Sequence, residues 1–459
     1  MNGFTNYSGL LTYNGVEFTF VFDGKQLKLI PDEENKLNVS LWFKKEIAPG
    51  VFVAGDPLFI EDVLSGFTNE TGHKIFFVPS LSDVGYINST LLIDIDYYVV
   101  NKYDDEKIDR ITFKGPEISK IFPNSIGLNK IDWKGNGVVD ISTKSFDETT
   151  TEKESFKIGS RKLNIYFGIS LSSSKKDTDK PLNISSTLFV EFSPTNDFKF
   201  ILKVVDYVKN FLQFMCYRKN ISFTEIELAS PYEGKLHHTF ALLYFTKEEI
   251  YEQRPLDKNV CILYDDIKGS IANLLNDIIS DRIYLKHIPE SYFRRFNINA
   301  GDFVIITAGF EWEFRRYFPD GPVKRKQTID AENYVNKTLD DLITKNGGKA
   351  KDIFKRLKNN VDFINLQQKI ITFGKEFSEI FDDVASKIYK LHGEELIYPK
   401  VGERLSKQRN NFAHGNIDQE FIGDSLLDLV LLEYIIYFLQ LKSIGVNDKS
   451  IINALKSIF

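Results

Sequence analysis

Cysteine is scarce in this chain of 459 residues, which contains only Cys216 and Cys261. Two cysteines exclude a disulfide framework and a cysteine-based zinc site, as expected for the reducing cytoplasm. A membrane-spanning run is also lacking, because the most apolar stretch, 426–441, contains Asp428 and Glu433 and is shorter than the roughly 20 residues of a span. The N-terminus shows no basic region followed by an apolar core, so we expect no signal peptide. These absences predict a cytoplasmic protein without a membrane segment.

A basic excess is missing as well. The formal net charge is −6, which argues against a protein that coats nucleic acid non-specifically. Acidic and basic residues balance from Gly301 onward, so the first 300 residues carry the deficit. Within the balanced part, basic residues form two local clusters: Lys351, Lys355, Arg356 and Lys358, then Arg404, Lys407 and Arg409. Each cluster is either a phosphate-facing patch or an ordinary solvated helix face.

Aromatic residues are plentiful, with 39 Phe and 21 Tyr, and this favours β-rich packing in part of the chain. Up to about residue 196, short segments with apolar alternation are separated by turn sequences such as Asn14-Gly15 and Asp23-Gly24. The pattern predicts a β-rich, sandwich-like or barrel-like domain over residues 1–196. Its strands include Glu17–Phe22, Leu37–Phe43, His73–Val78, Thr90–Val100, Lys107–Phe113, Leu163–Ser170 and Thr187–Phe192.

Residues 197–297 are predicted to form a connecting region of mixed helix and strand that packs with the N-terminal domain. An amphipathic helix reaches about Tyr217, and strands are predicted at Ile221–Leu228, His237–Phe245 and Val260–Tyr264. Although His237 and His238 are adjacent, neighbouring side chains on a strand point to opposite faces, so the pair does not predict a metal site. We expect no metal and no cofactor.

Residues 298–459 are predicted to be helical, giving an α+β multidomain protein with a C-terminal all-α bundle. The apolar spacing places helices at Asp302–Phe318, Gln327–Lys345, Asp352–Leu366, Ile371–Leu391, Val401–His414 and Ser425–Leu441.

One short segment of this helical part concentrates polar chemistry: Arg409-Asn410-Asn411-Phe412-Ala413-His414, followed by Gly415. On a helix, Leu405 and Phe412 mark a buried stripe, whereas Asn410 and His414 are neighbours one turn apart on another face. Gly415 suits the left-handed position that follows a helix C-terminus, which places His414 in the last turn.

The spacing of an arginine, four residues and a histidine occurs a second time, at Arg282 and His287. That copy leads into Ile288-Pro289 and lacks an asparagine after its arginine. We interpret it as a helix end followed by a turn, with no catalytic role.

The segment Arg409–His414 resembles the signature of HEPN ribonucleases, in which four to six residues separate an arginine from a histidine. The order of a motif helix before a final apolar helix is also similar, and the match covers about the last 160 residues. With its β-rich front domain, the layout resembles the ApeA-type anti-phage proteins, which carry an ApeA N-terminal domain and an ApeA-like HEPN domain. The resemblance implies a bacterial endoribonuclease that acts in abortive infection, with RNA, including tRNA, as substrate and a phage-derived trigger.

The residue types fit RNA cleavage without a metal. RNA supplies its own nucleophile, the 2′-hydroxyl, while an imidazole near its reference pKa of about 6.5 serves as base or acid. We therefore assign catalytic roles to Arg409, Asn410 and His414, with Glu311 and Glu313 as supporting residues and Arg404 and Lys407 as RNA contacts. Because one helix supplies one imidazole, the resemblance implies a homodimer through the HEPN domain, and dimers that pair into a tetramer are a further option.

Three alternatives remain open at this point. In the first, the bundle is a non-catalytic module that binds RNA or a partner protein. In the second, the β-rich half is a ligand sensor and the bundle only dimerises. In the third, Arg409 forms an internal ion pair with Glu311 or Glu313, and His414 merely ends a helix near its negative pole.

Overall fold

The structure is a computed structural model that describes residues 6–103, 107–134, 137–173, 182–233, 237–246, 260–321, 324–361, 364–414, 421 and 423–459. The chain divides into two compact units. The β-rich unit comprises Met1–Tyr264 with Ile271–Ser280, and the helical unit comprises Asp265–Ser270 with Asp281–Phe459. Residues 281–297, predicted as the end of the connecting region, therefore fall in the helical unit. The coarse prediction of a β-rich part followed by a helical part is confirmed.

The strands of the β-rich unit are numbered in chain order. They are β1 (Tyr7–Tyr13), β2 (Val16–Phe22), β3 (Gln26–Pro31), β4 (Lys44–Ala48), β5 (Val51–Ala54), β6 (Leu64–Thr68), β7 (Lys74–Pro79), β8 (Gly85–Ile87), β9 (Thr90–Asn101), β10 (Ile108–Lys114), β11 (Leu128–Lys134), β12 (Val138–Thr143), β13 (Glu154–Ile158), β14 (Arg161–Ser173), β15 (Leu182–Thr195), β16 (Glu225–Pro231) and β17 (His237–Phe245).

Helices interrupt the strands and then take over the chain. They are α1 (Lys36–Leu41), α2 (Pro116–Ile121), α3 (Phe146–Thr149), α4 (Phe198–Cys216), α5 (Tyr264–Ile267), α6 (Ile271–Ile279), α7 (Ala300–Tyr317), α8 (Lys326–Lys345), α9 (Gly348–Asn359), α10 (Leu366–Leu391), α11 (Tyr398–Ala413), α12 (Ser425–Ser443) and α13 (Asp448–Ile458).

Six strands close into an antiparallel barrel in the order β9-β3-β2-β1-β6-β7, because β7 pairs with β9 as well as with β6. The alternation in β2 drives this closure, since Phe18, Phe20 and Phe22 all point inward and are fully buried. The Phe77 ring of β7 packs edge-to-face against Phe20 and Phe22, with ring-centroid distances of 5.3 Å and 5.0 Å. Gly9 allows β1 and β6 to approach, because a Cβ there would lie 1.9 Å from the Phe67 carbonyl oxygen.

The sheet continues beyond the barrel from β9 in the order β17-β16-β10-β15-β14-β13. Helix α4 packs its apolar stripe onto this half of the unit, where Phe200 contacts Phe192 edge-to-face at 5.3 Å. Asp197 caps the helix by accepting a hydrogen bond from the Phe200 backbone at 3.0 Å, and Tyr217 ends it in a left-handed conformation.

Three predicted strands require correction. The predicted strand Leu37–Phe43 overlaps helix α1, in which only Val39 is buried. The prediction was wrong because so short an apolar run fits a strand and a helix equally well. Val260–Tyr264 contains no strand, and Tyr264 begins α5. In Ile221–Leu228 the strand starts only at Glu225.

In the helical unit, α12 is the central element, and α7, α10, α11 and α13 pack around it. Fourteen of its 19 residues are buried, as its largely apolar sequence predicts. Phe438 of α12 fills the space beside α10, with ring centroids 5.0–5.5 Å from Phe373, Phe377 and Phe381. By contrast, α8 and α9 bury a single residue between them, Leu339. In the part of the chain that is described, no helix has the length and apolar character needed to cross a membrane.

Candidate active site at the end of helix α11

The motif segment lies in the last turn of α11, as predicted. Leu405 and Phe412 are buried, and the Phe412 ring meets Phe303 of α7 edge-to-face at 5.5 Å. Asn410 and His414 are exposed on another side of the helix. The His414 backbone N–H donates to the Asn410 carbonyl oxygen at 3.1 Å and closes the helix. The side chain of Ala413 and the whole of Gly415 lie outside the described residues.

Arg409 is held by a carboxylate from another helix. Its Nη2 lies 2.8 Å from Glu311 Oε2 on α7, and the other oxygen of Glu311 lies 2.9 Å from Lys369 Nζ on α10. Glu311 is 14% exposed and Lys369 is 10% exposed, whereas Arg409 is 34% exposed. One mostly buried carboxylate therefore orients two cations from two helices, and the Arg409–Glu311–Lys369 cluster keeps a net positive charge. The predicted internal ion pair of Arg409 thus exists, and Glu311 is its partner.

Lys369 was not among the predicted site residues, although a signal for it was present. It lies in the apolar stripe of α10 together with Leu366, Ile370 and Phe373, at spacings of three and four residues. A lysine in such a stripe must place its ammonium against a partner, because a buried unpaired charge is costly. Only the packing of α7 against α10 identifies that partner as Glu311.

Glu313, the other predicted supporting residue, lies elsewhere. Glu313 comes two residues after Glu311 on α7, which corresponds to a rotation of about 200° around the helix axis. It therefore faces away from Glu311, and it is fully buried. Its Oε1 accepts hydrogen bonds from the Tyr284 backbone at 2.7 Å and from Gln440 Nε2 at 3.0 Å, and its Oε2 lies 3.3 Å from Arg316 Nε. Glu313 therefore ties helices together and does not contact Arg409.

Arg404, predicted as an RNA contact, is bound within the protein. Its Nε and Nη2 donate to the two oxygens of Asp428 on α12, at 2.6 Å and 2.7 Å, and Tyr389 Oη donates to the same carboxylate at 2.7 Å. Burial raises the pKa of the Asp428 carboxyl, and the hydrogen bonds from Arg404 and Tyr389 act in the opposite direction. The Asp428 hydrogen bonds raise the pKa of Arg404, so its guanidinium stays charged. Lys407, the second predicted contact, is exposed.

The second arginine–histidine spacing forms no site. His287 is 5% exposed, and its ring lies between Tyr284 and Tyr437, with centroid distances of 5.9 Å to each. Arg282 is exposed, and its carbonyl oxygen accepts a hydrogen bond from Trp312 Nε1 at 2.9 Å. The two side chains are thus separated between surface and core.

A polar recess of about 370 Å³ lies in the β-rich unit, lined by Asp109, Lys162, Asn164, Glu191, Phe192, Ser193 and His237. His237 Nδ1 lies 3.1 Å from Asp109 Oδ1, and its Nε2 lies 3.7 Å from Glu191 Oε1. Hydrogen bonds from Lys153 and Tyr166 outweigh burial and lower the pKa of Glu191, which keeps it ionised. The ring of the neighbouring His238 instead packs against Tyr103, with a ring-centroid distance of 4.6 Å. Within the described ranges, no three His, Cys, Asp or Glu side chains are arranged to hold a metal ion.

Comparisons with family models, with curated proteins and with solved structures give no match to this chain.

Proposed function

We propose that this protein is a metal-independent endoribonuclease of the HEPN type. The observation that carries the proposal is the geometry of the last turn of α11. Leu405 and Phe412 anchor the helix in the core, while Asn410 and His414 are exposed and Arg409 is partly exposed and oriented by Glu311. An imidazole, an amide and a fixed cation are therefore presented to solvent from one rigid helix end.

The chemistry follows from these groups. The neutral His414 imidazole removes the proton of the RNA 2′-hydroxyl, which attacks the adjacent phosphorus and expels the 5′-oxygen of the next nucleotide. Arg409 cannot lose its proton at physiological pH and offers a planar pair of donors to the phosphoryl oxygens. Asn410, one turn before His414, orients the imidazole or holds a ribose hydroxyl. The products are a 2′,3′-cyclic phosphate and a 5′-hydroxyl.

A second imidazole is needed to protonate the leaving oxygen. The motif supplies one imidazole per chain, that of His414. The proposal therefore includes a homodimer in which two helical units bring both copies of the Arg409–His414 segment to a shared cleft. Pairing of dimers into a tetramer is compatible with the same cleft. RNA with exposed single-stranded loops, tRNA among them, is the proposed substrate, because unstacked bases enter such a cleft most easily.

Glu311 anchors Arg409 through Nη2, and the Arg409 side chain is still 34% exposed and so accessible to a phosphate. The cluster has one carboxylate for two cations, so its net positive charge attracts that phosphate. By resemblance to ApeA-type proteins, the proposed biological role is cytoplasmic anti-phage defence through abortive infection, with a phage component as trigger.

The deciding experiment compares wild type, Arg409→Ala and His414→Ala, with Lys400→Ala, an exposed position in the first turn of the same helix, as the matched control. Total RNA is analysed from bacteria that express each protein, with and without phage infection, and the end groups of new fragments are determined. We expect cyclic phosphate ends with wild type and Lys400→Ala, and none with the other two. Cleavage by purified protein that stops with EDTA, or that survives both motif substitutions, would rule out this mechanism.

The alternative function is a non-catalytic module that binds RNA or a partner protein. The observation in its favour is the Arg409–Glu311 ion pair, which a purely structural arginine would also make. Such a module retains RNA on filters or gels without producing fragments.

A ligand sensor remains the third candidate, and the polar recess around His237 is the feature that favours it. In that case substitutions in the recess abolish the cellular response, whereas His414→Ala leaves it intact.

A further inference from the structure

The two cysteines of the chain, 45 residues apart in sequence, are in direct contact in the β-rich unit. The Sγ atoms of Cys216 and Cys261 lie 2.9 Å apart, and both residues are buried and free. Cys216 is the last residue of α4, and the Ile262 backbone N–H donates to the Met215 carbonyl oxygen at 2.8 Å. That hydrogen bond fastens the segment after Val260 to the end of α4 and directs the two sulfur atoms toward each other.

We propose that Cys216 and Cys261 are a site of reversible covalent modification, at which a low-molecular-weight disulfide such as oxidised glutathione converts the dithiol into an intramolecular disulfide. This inference does not depend on the proposed ribonuclease activity. It follows from the contact of the two sulfurs within a hydrogen-bonded backbone arrangement.

The reaction balances as two exchanges. One cysteine thiolate attacks glutathione disulfide, forms a mixed disulfide and releases the first glutathione. The thiolate of the other cysteine then attacks the protein sulfur of that mixed disulfide and releases the second glutathione. Two protein thiols lose two electrons and two protons, and the glutathione disulfide accepts the electrons and leaves as two thiols.

The surroundings determine the rate and the consequence. Burial raises the pKa of the Cys216 thiol, with the hydrogen bond to Cys261 acting in the same direction, so the first exchange requires local opening and is slow. The second exchange is fast because the partner sulfur is already adjacent. The closed loop contains β16 and β17, the strands that connect β10 to barrel strand β9. The cross-link therefore constrains the chain at the junction between the barrel and the rest of the sheet.

The test uses the full-length protein and counts thiols by mass. Reduced protein is incubated with either reduced or oxidised glutathione, then unfolded in the presence of iodoacetamide. We expect two alkyl groups after reduced glutathione and none after oxidised glutathione. Non-reducing trypsin digestion of the oxidised sample should give one species that joins peptides 210–218 and 259–268. This reading needs no variant, so a folding defect cannot obscure it.

Melting temperature provides the second readout. Closing a loop of this length should raise the melting temperature of the β-rich unit by about 5–10 °C in the oxidised sample. Cys216→Ser and Cys261→Ser each retain one thiol, and each should show no oxidation-dependent rise. Two alkylated cysteines after oxidation, stable glutathione adducts on both residues, or disulfide-linked chains on a non-reducing gel would each overturn the proposal.

Discussion

The chain contains the same arginine–histidine spacing twice, and the two copies have opposite environments in the helical unit. At Arg409 and His414 the spacing occupies the end of a helix, with the imidazole in solvent and the guanidinium held by Glu311. At Arg282 and His287 the segment precedes α7, and the imidazole is enclosed by tyrosine rings. Spacing therefore selects candidates, whereas exposure and the arrangement of neighbouring helices distinguish a catalytic candidate from a packing residue.

The largest expected difference between the copies is in activity. His414→Ala should reduce RNA cleavage by about 10²–10⁴-fold, the usual contribution of a positioned acid–base group. Arg282→Ala, at the exposed arginine of the second copy, should leave the rate unchanged. Initial rates on a defined RNA, with circular dichroism to verify folding, provide the measurement. Equal losses in both variants would remove the distinction between the copies.

A smaller but still large effect is expected from Arg404→Ala, which tests whether a basic residue of α11 acts in structure. The substitution leaves the buried Asp428 carboxylate without its bidentate partner and should lower the free energy of unfolding of the helical unit by about 2–4 kcal/mol, after allowance for the partial exposure of Arg404. Lys407→Ala, an exposed position on the same helix, should change it by less than about 0.5 kcal/mol. Urea unfolding measures both values, and equal stability of the two variants contradicts the assignment.

Substitution of the two histidines should change the free energy of unfolding by different amounts in the same urea assay. His287→Ala removes a buried ring between Tyr284 and Tyr437, and we expect a loss of about 2–3 kcal/mol in unfolding free energy. His414→Ala removes an exposed ring and should change stability by less than about 0.5 kcal/mol. If His414→Ala proves the more destabilising of the two, its lost cleavage can no longer be attributed to chemistry.

The smallest expected effect concerns the residues that support the first copy. Glu311→Gln should lower kcat about tenfold, equivalent to about 1.4 kcal/mol, because Arg409 loses its charged anchor while the fold persists. Glu313→Gln, two residues along α7, should lower the melting temperature but leave kcat of the folded enzyme intact. A loss of kcat in Glu313→Gln that matches the loss in Glu311→Gln would show that both act only through stability.

Much of the secondary structure could be predicted from periodicity. The alternation around Phe18–Phe22 predicts a strand with a buried face, and the helical spacing after residue 196 predicts α4 within two residues at its start. The failures have a common cause. The segments Leu37–Phe43 and Val260–Tyr264 are short apolar runs whose period is ambiguous, so tertiary contacts decided their conformation.

The candidate site divides in the same way. Leu405, Phe412 and the exposed His414 follow from the 100° rotation per residue of a helix, and this can be calculated without a fold. The partners of the charged side chains at the site cannot be calculated in this way. That Arg409 binds Glu311 and shares it with Lys369 depends on three helices meeting at one level.

The sequence by itself determined the order of a β-rich part and a helical part, the buried stripe of α11, and which side of that helix carries the polar groups. These are local properties, since backbone geometry repeats every two or 3.6 residues and apolar side chains reveal the repeat. Only the tertiary structure decided that β7 closes the barrel on β9, that Asp428 binds Arg404, and that Cys216 meets Cys261. Those contacts join residues far apart in the chain, and nothing in the local sequence encodes the partner of a charge, a strand edge or a thiol.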